Sequence, residues 1–99
     1  MFQKFIINDG RLKAGLVDQH RELAEDHSTT QGGGWWYMDV ESRTIWLYGK
    51  SILFGSVPKN LLQQVIASGQ HDYPDCTWYF SRSSKLEHAM QKAERLGLP

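Results

Sequence analysis

His20, Arg21, Glu22, Glu25, Asp26 and His27 fall within eight residues, and Gly32, Gly33 and Gly34 follow five residues later. These residue types suit the handling of an anion. Arg21 offers a fork of donors to a phosphate or carboxylate, and a neutral histidine, His20 or His27, can take up a proton while Asp26 orients its ring. Glycine runs let successive backbone N–H groups turn towards one ligand, so Gly32, Gly33 and Gly34 are a candidate anion nest. The chemistry expected of such a site is acid–base hydrolysis or transfer on a phosphate- or nucleotide-like group, with His20, Asp26 and His27 as catalytic candidates. Without a ligand, the same stretch reads as a solvated run of ion pairs.

A metal site is not expected. On a helix, His20 and His27 would stand about 10 Å apart along the axis, whereas two ligands of one ion occupy adjacent turns. No cofactor is expected either. The glycines match neither G-x-G-x-x-G nor a phosphate loop with its Lys and Ser/Thr, and they precede a strand where those loops follow one.

Directly after the glycines, Trp35 and Tyr37 alternate with Trp36 and Met38. Trp35 and Tyr37 then share the less apolar face of a strand, which is either a stacking or partner platform or a second, covered core. The glycines have a ligand-free role too: clearance for a sharp bend that sends Trp35 and Trp36 to opposite faces. That bend is expected to bring the ionisable stretch and the aromatic ribbon into one neighbourhood. Lys50, between Gly49 and Gly55, is a further ligand-binding candidate at a sheet edge. Cys76 sits beside Asp75, which discourages a thiolate, and lacks a nucleophile motif. His71 and Asp72 read as loop, and His88 as an exposed helix position.

The elements that must position these residues follow from turns and periodicity. Asp9-Gly10 suits a two-residue type I′ turn, and it sets Ile7 opposite Leu12, Phe5 opposite Ala14 and Gln3 opposite Leu16. That leaves Lys4, Asn8, Arg11 and Lys13 on a solvent face with Ile6. A second hairpin joins "WWYMDV" to "TIWLYG" through Glu41-Ser42-Arg43. "SVPKNLLQQVIASG" reads as a helix capped by Ser56, with Leu61, Leu62, Val65 and Ile66 as its stripe and Gly69 as its stop. "TWYF" is a short strand. A last helix is expected from a Ser84 to Glu87 capping box, with Leu86, Ala89, Met90, Ala93 and Leu96 on one face and Gly97 as its stop. The segment from Asp18 to His27 is either a short helix or an ordered loop. The fold class expected is α+β: a largely antiparallel sheet of about five strands with two amphipathic helices on one face.

Composition narrows the function classes. A chain of 99 residues is expected to be one domain, and its eleven basic and eleven acidic residues cancel, without the electropositive footprint of a nucleic-acid binder. A single cysteine excludes a disulfide scaffold, and "MFQKFIINDG" lacks a signal-peptide apolar core, so a cytoplasmic protein is expected, with no nucleic-acid or membrane partner. Two readings remain. The first is a binding or interaction module whose aromatic hairpin face and glycine loop meet a protein partner or a second copy. The alternative is a small enzyme or ligand-binding protein that holds a small anionic ligand between His20, Arg21, Asp26, His27 and the glycines.

Overall fold

A computed structural model describes residues 2–17, 19–24 and 27–97, and the following statements refer to these. Asp9 and Gly10 both take positive φ, as a type I′ turn requires, and join β1 (Phe2–Asn8) to β2 (Arg11–Gly15). The expected register holds, with Phe5 opposite Ala14 and Ile7 opposite Leu12. Two single 3-10 turns follow, His20–Leu23 and His27–Thr29, in the stretch where a short helix or an ordered loop was expected.

β3 (Thr30–Asp39) starts before the glycines and pairs antiparallel with β1 on one side and with β4 (Thr44–Tyr48) on the other. α1 (Lys59–Ala67) then crosses to β5 (Thr77–Ser81), which lies parallel to β4. α2 (Leu86–Lys92) leads into β6 (Glu94–Leu96), antiparallel to β5. The sheet order is β2-β1-β3-β4-β5-β6. The α+β class and the mostly antiparallel sheet are as expected, with six strands among the described residues.

Strand alternation gives the sheet two unlike faces. One carries Phe5, Ile7, Leu12, Trp36, Ile45, Leu47, Trp78 and Phe80, which pack with Val57 and with Leu62, Val65 and Ile66 of α1 into the main core. Trp36 lies edge-on to Trp78 at 5.6 Å between ring centres. The opposite face carries Lys4, Ile6, Trp35, Tyr37, Trp46 and Tyr48, and the first 3-10 turn and α2 lie over it. Ala89 of α2 is fully buried there, outside the main cluster. The two helices are thus divided between the faces, α1 on the Trp36 side and α2 on the other, where both were expected on one face.

Three local expectations are corrected. The glycines form no bend or loop: Gly32, Gly33 and Gly34 are strand residues opposite Ile7, Ile6 and Phe5. A Cβ on Gly33 would stand 2.5 Å from Phe5 O, and one on Gly34 would stand 2.6 Å from Tyr48 O, so the run lets neighbouring strands approach closely. The last helix stops early. Ala93 turns to extended backbone, and Glu94–Leu96 covers the free edge of β5, where Leu96 enters the core beside Trp78. A strand edge left open outweighs a helical pattern of five residues. Neither helix uses its expected cap: Pro58 and Lys85 hold the cap positions without side-chain bonds, and the Ser56 carbonyl instead faces Gly32.

Candidate functional site

The empty positions of Gly33 are filled from above. The His20 ring lies over that glycine, with Cδ2 3.2 Å from where a Cβ would stand. Its turn is closed by two bonds, Glu22 N–H to Gln19 O and Gln19 N–H to Glu22 Oε2 at 2.7 Å. His20 is buried, and its Nε2 lies 2.7 Å from Gly34 O. A carbonyl only accepts, so Nε2 carries the proton and Nδ1 the lone pair. A backbone carbonyl therefore orients this ring.

Burial holds the His20 imidazole below its ordinary value; the bond to Gly34 O opposes this, and the charge of Lys4 adds to it. Histidine is thus neutral here at pH 7, with a lone pair available as a base. His71 is lowered in the same direction, chiefly by burial. An unfolded histidine titrates near about 6.5, so below that pH the unfolded chain binds more protons than the folded one. Stability is then complete above about pH 6.5 and falls as pH drops through the lowered folded values. Urea midpoints at pH 7.5 and 5.5 are expected to show this loss, and His20→Gln to retain only the part contributed by His71.

The chain between Gly49 and Gly55 is tied to the same glycine strand. Ser51 N–H donates to Gly33 O at 3.0 Å, and Gly33 N–H donates to Gly55 O at 3.0 Å. This bend holds Lys50 beside the His20 turn and projects Ile52 and Leu53, both exposed. Gly49 has positive φ and leaves room for Trp35, whose Cδ1 would lie 2.8 Å from a Cβ there. Trp35 keeps 37% of its surface exposed, meets the His20 ring edge-on at 6.5 Å, and has Lys4 Nζ 5.2 Å from its ring centre.

These elements enclose a cleft of about 520 Å³. Lys4, Arg21 and Lys50 bring cationic side chains to it, His20 its ring, and Trp35, Ile52 and Leu53 apolar surface. Among the described residues no carboxylate lines it. Four of the expected site residues, His20, Arg21, Trp35 and Lys50, therefore share one cavity.

The others are placed differently. Asp26 lies outside the described residues. His27 opens the second 3-10 turn. Tyr37 does not line the cleft and belongs to a row across the sheet, 6.0 Å from Trp46, which in turn stacks on Tyr79 at 6.1 Å. The glycines provide no nest: Gly33 N–H is given to Gly55 O, and Gly32 and Gly34 lie in ladder register with Ile7 and Phe5. They serve the cleft as a floor for His20 and through the Gly34 carbonyl.

Sequence reasoning missed Lys4, Ile52 and Leu53. The signal for Lys4 was its position on the face opposite Phe5. For Ile52 and Leu53 it was an apolar pair at the tip of a glycine-bracketed bend. Burial, the main cause, raises the Cys76 thiol, with Asp75 adding, so Cys76 is a poor nucleophile. Among the described residues no cluster of histidine, cysteine or carboxylate side chains is placed to hold a metal ion, and no helix is long and apolar enough to cross a membrane. No protein-family model and no curated protein matches this sequence.

Proposed function

We propose that this chain is a small ligand-binding protein whose cleft takes an anionic molecule with an apolar or aromatic part. The observation that carries this reading is the convergence of Lys4, Arg21 and Lys50 on a cavity walled by Trp35, Ile52 and Leu53. Each cation near an anion contributes about 1 to 4 kcal/mol, depending on how much water remains between them. The indole adds stacking or apolar contact. His20, neutral and anchored through Nε2, offers Nδ1 to a protonated ligand oxygen and is the group through which any acid–base step on the ligand runs.

Titration with inorganic phosphate and with phenyl phosphate, followed by NMR of the His20 ring and the Trp35 indole N–H, tests the reading. Both ligands are expected to move both signals in a saturable way, phenyl phosphate at lower concentration. Bound phosphate is also expected to raise the His20 pKa, because its negative charge offsets that of Lys4. Signals that stay still with both ligands would refute the anion site.

The interaction-module reading is then the stronger one. The row Tyr37, Trp46 and Tyr79 favours it: three half-buried rings on three neighbouring strands of the less apolar face. Aromatic surface of this kind is enriched where protein partners dock.

A further inference from the structure

Where β5 ends, a smaller cavity of about 160 Å³ shares no lining residue with the cleft at His20. Lys59 from the start of α1, Arg82 just past β5 and Lys92 from the last turn of α2 converge on it, with the buried Phe80 and Ser81 in its lining. Three elements separated in sequence thus bring cations together in a chain whose formal charge is zero. One carboxylate accompanies them: Glu94, at the start of β6, pairs with Lys59. Neither Arg82 nor Lys92 has an ion-pair partner among the described residues. The Phe80 ring holds the Arg82 guanidinium instead, 5.5 Å from its centre. Ser81 Oγ accepts a bond from Ser83 N–H at 3.2 Å, which leaves its own O–H proton to be given.

We infer that this cavity binds a phosphate group in its dianionic form, as a site separate from the cleft. The charges match. Three cations and one carboxylate leave two positive charges in excess, and a phosphate monoester carries about −1.5 to −2 at pH 7. The guanidinium fork can give paired N–H bonds to two phosphate oxygens, and Lys92 and the Ser81 hydroxyl can add further ones. A carboxylate or a phosphodiester brings one negative charge and so about half the attraction. A cavity of about 160 Å³, against about 520 Å³ for the cleft, suits the phosphate alone and leaves outside whatever it esterifies.

Titrations of the whole chain with inorganic phosphate, glycerol phosphate and dimethyl phosphate at constant ionic strength test the inference, followed through the backbone amide signals of Ser81 and Glu94. Neither residue lines the cleft, whose own reporter is the His20 ring, so the two sites are read separately. Phosphate is expected to move both amides in a saturable way, and dimethyl phosphate to bind at least about tenfold more weakly, since one charge pair at 4 Å in water is worth a factor of about five and two cations are involved. Equal binding of glycerol phosphate assigns the site to a phosphate carried on a larger molecule, and binding of inorganic phosphate alone assigns it to the free ion; either supports the dianion site. Arg82→Gln and Lys92→Gln should each weaken phosphate about fivefold or more without changing the response of the His20 ring. Both side chains are exposed, so the fold is retained in at least the Lys92 variant, which touches no ring. Amide signals that stay still, that respond equally to dimethyl phosphate, or that survive both substitutions would overturn the site, whatever His20 does.

Discussion

Replacing Gly33 with alanine is expected to cost about 3 kcal/mol or more and to unseat His20, although only one methyl group is added. That methyl would stand 2.5 Å from Phe5 O, 3.1 Å from Ile6 Cγ2 and 3.2 Å from His20 Cδ2. Small-to-large changes in packed interiors cost roughly 1 to 3 kcal/mol where side chains can yield. Here the nearest atom is a backbone carbonyl in the β1–β3 ladder, so relief requires the two strands to part. Gly69→Ala separates this effect from conformational preference. Gly69 has φ +74° with nothing within 4 Å of the added carbon, so only the left-handed backbone penalty of about 1 kcal/mol applies. Urea unfolding of the two variants gives the comparison, and the His20 ring resonance in Gly33→Ala reports whether the bond to Gly34 O survives. Equal, small losses in both variants would show that close strand approach is not what the glycine run provides.

The same contrast explains which parts of this structure were legible in the sequence. The β1–β2 hairpin was, because Asp9-Gly10 fixes turn type and register within a few residues and Leu12 and Ala14 fall opposite apolar partners without reference to anything distant. α1 was legible for a similar reason, since Leu62, Val65 and Ile66 make an apolar stripe that one sheet face must cover. The glycine run was not. Its cause lies in the carbonyls of Phe5, Tyr48 and Ser56, which stand 28, 14 and 24 residues in sequence from Gly33, Gly34 and Gly32 respectively, and a local reading sees only freedom to bend.

β6 failed for a related reason. Leu86, Ala89 and Leu96 satisfy a helical period, yet Leu96 reaches its core position from a strand, and only the open edge of β5 reveals the difference. The site falls between these cases. His20, Arg21, Trp35 and Lys50 were recognisable by type, and they do meet. What joins them is a flat strand under His20 and a return bend hydrogen-bonded to Gly33, where the sequence suggested a glycine bend wrapped around a ligand.

Reversing two of the cleft's cations, Arg21→Glu with Lys50→Glu, is expected to weaken phosphate or phenyl phosphate binding at least 100-fold at low salt. Both side chains lie at the rim in contact with water, so the weak end of the Coulomb range, about 1 kcal/mol per charge pair at 4 Å, is the appropriate value. Turning attraction into repulsion doubles that, to about 2 kcal/mol per position, and about 1.4 kcal/mol is a factor of ten. Two such positions give the stated loss with margin for longer distances. Salt offers an internal check. The Debye length shrinks from about 10 Å at 0.1 M to about 3 Å at 1 M, so the gap between the wild-type chain and the variant should narrow as salt is raised. Lys50→Glu alone should leave the urea midpoint nearly unchanged, because an exposed side chain away from packed contacts alters stability by only about 0.5 kcal/mol. Affinity and stability thus separate. An anion that binds the double variant as tightly as the wild type is held somewhere other than this cleft, whereas a loss of affinity without a loss of fold assigns the charge to Arg21 and Lys50.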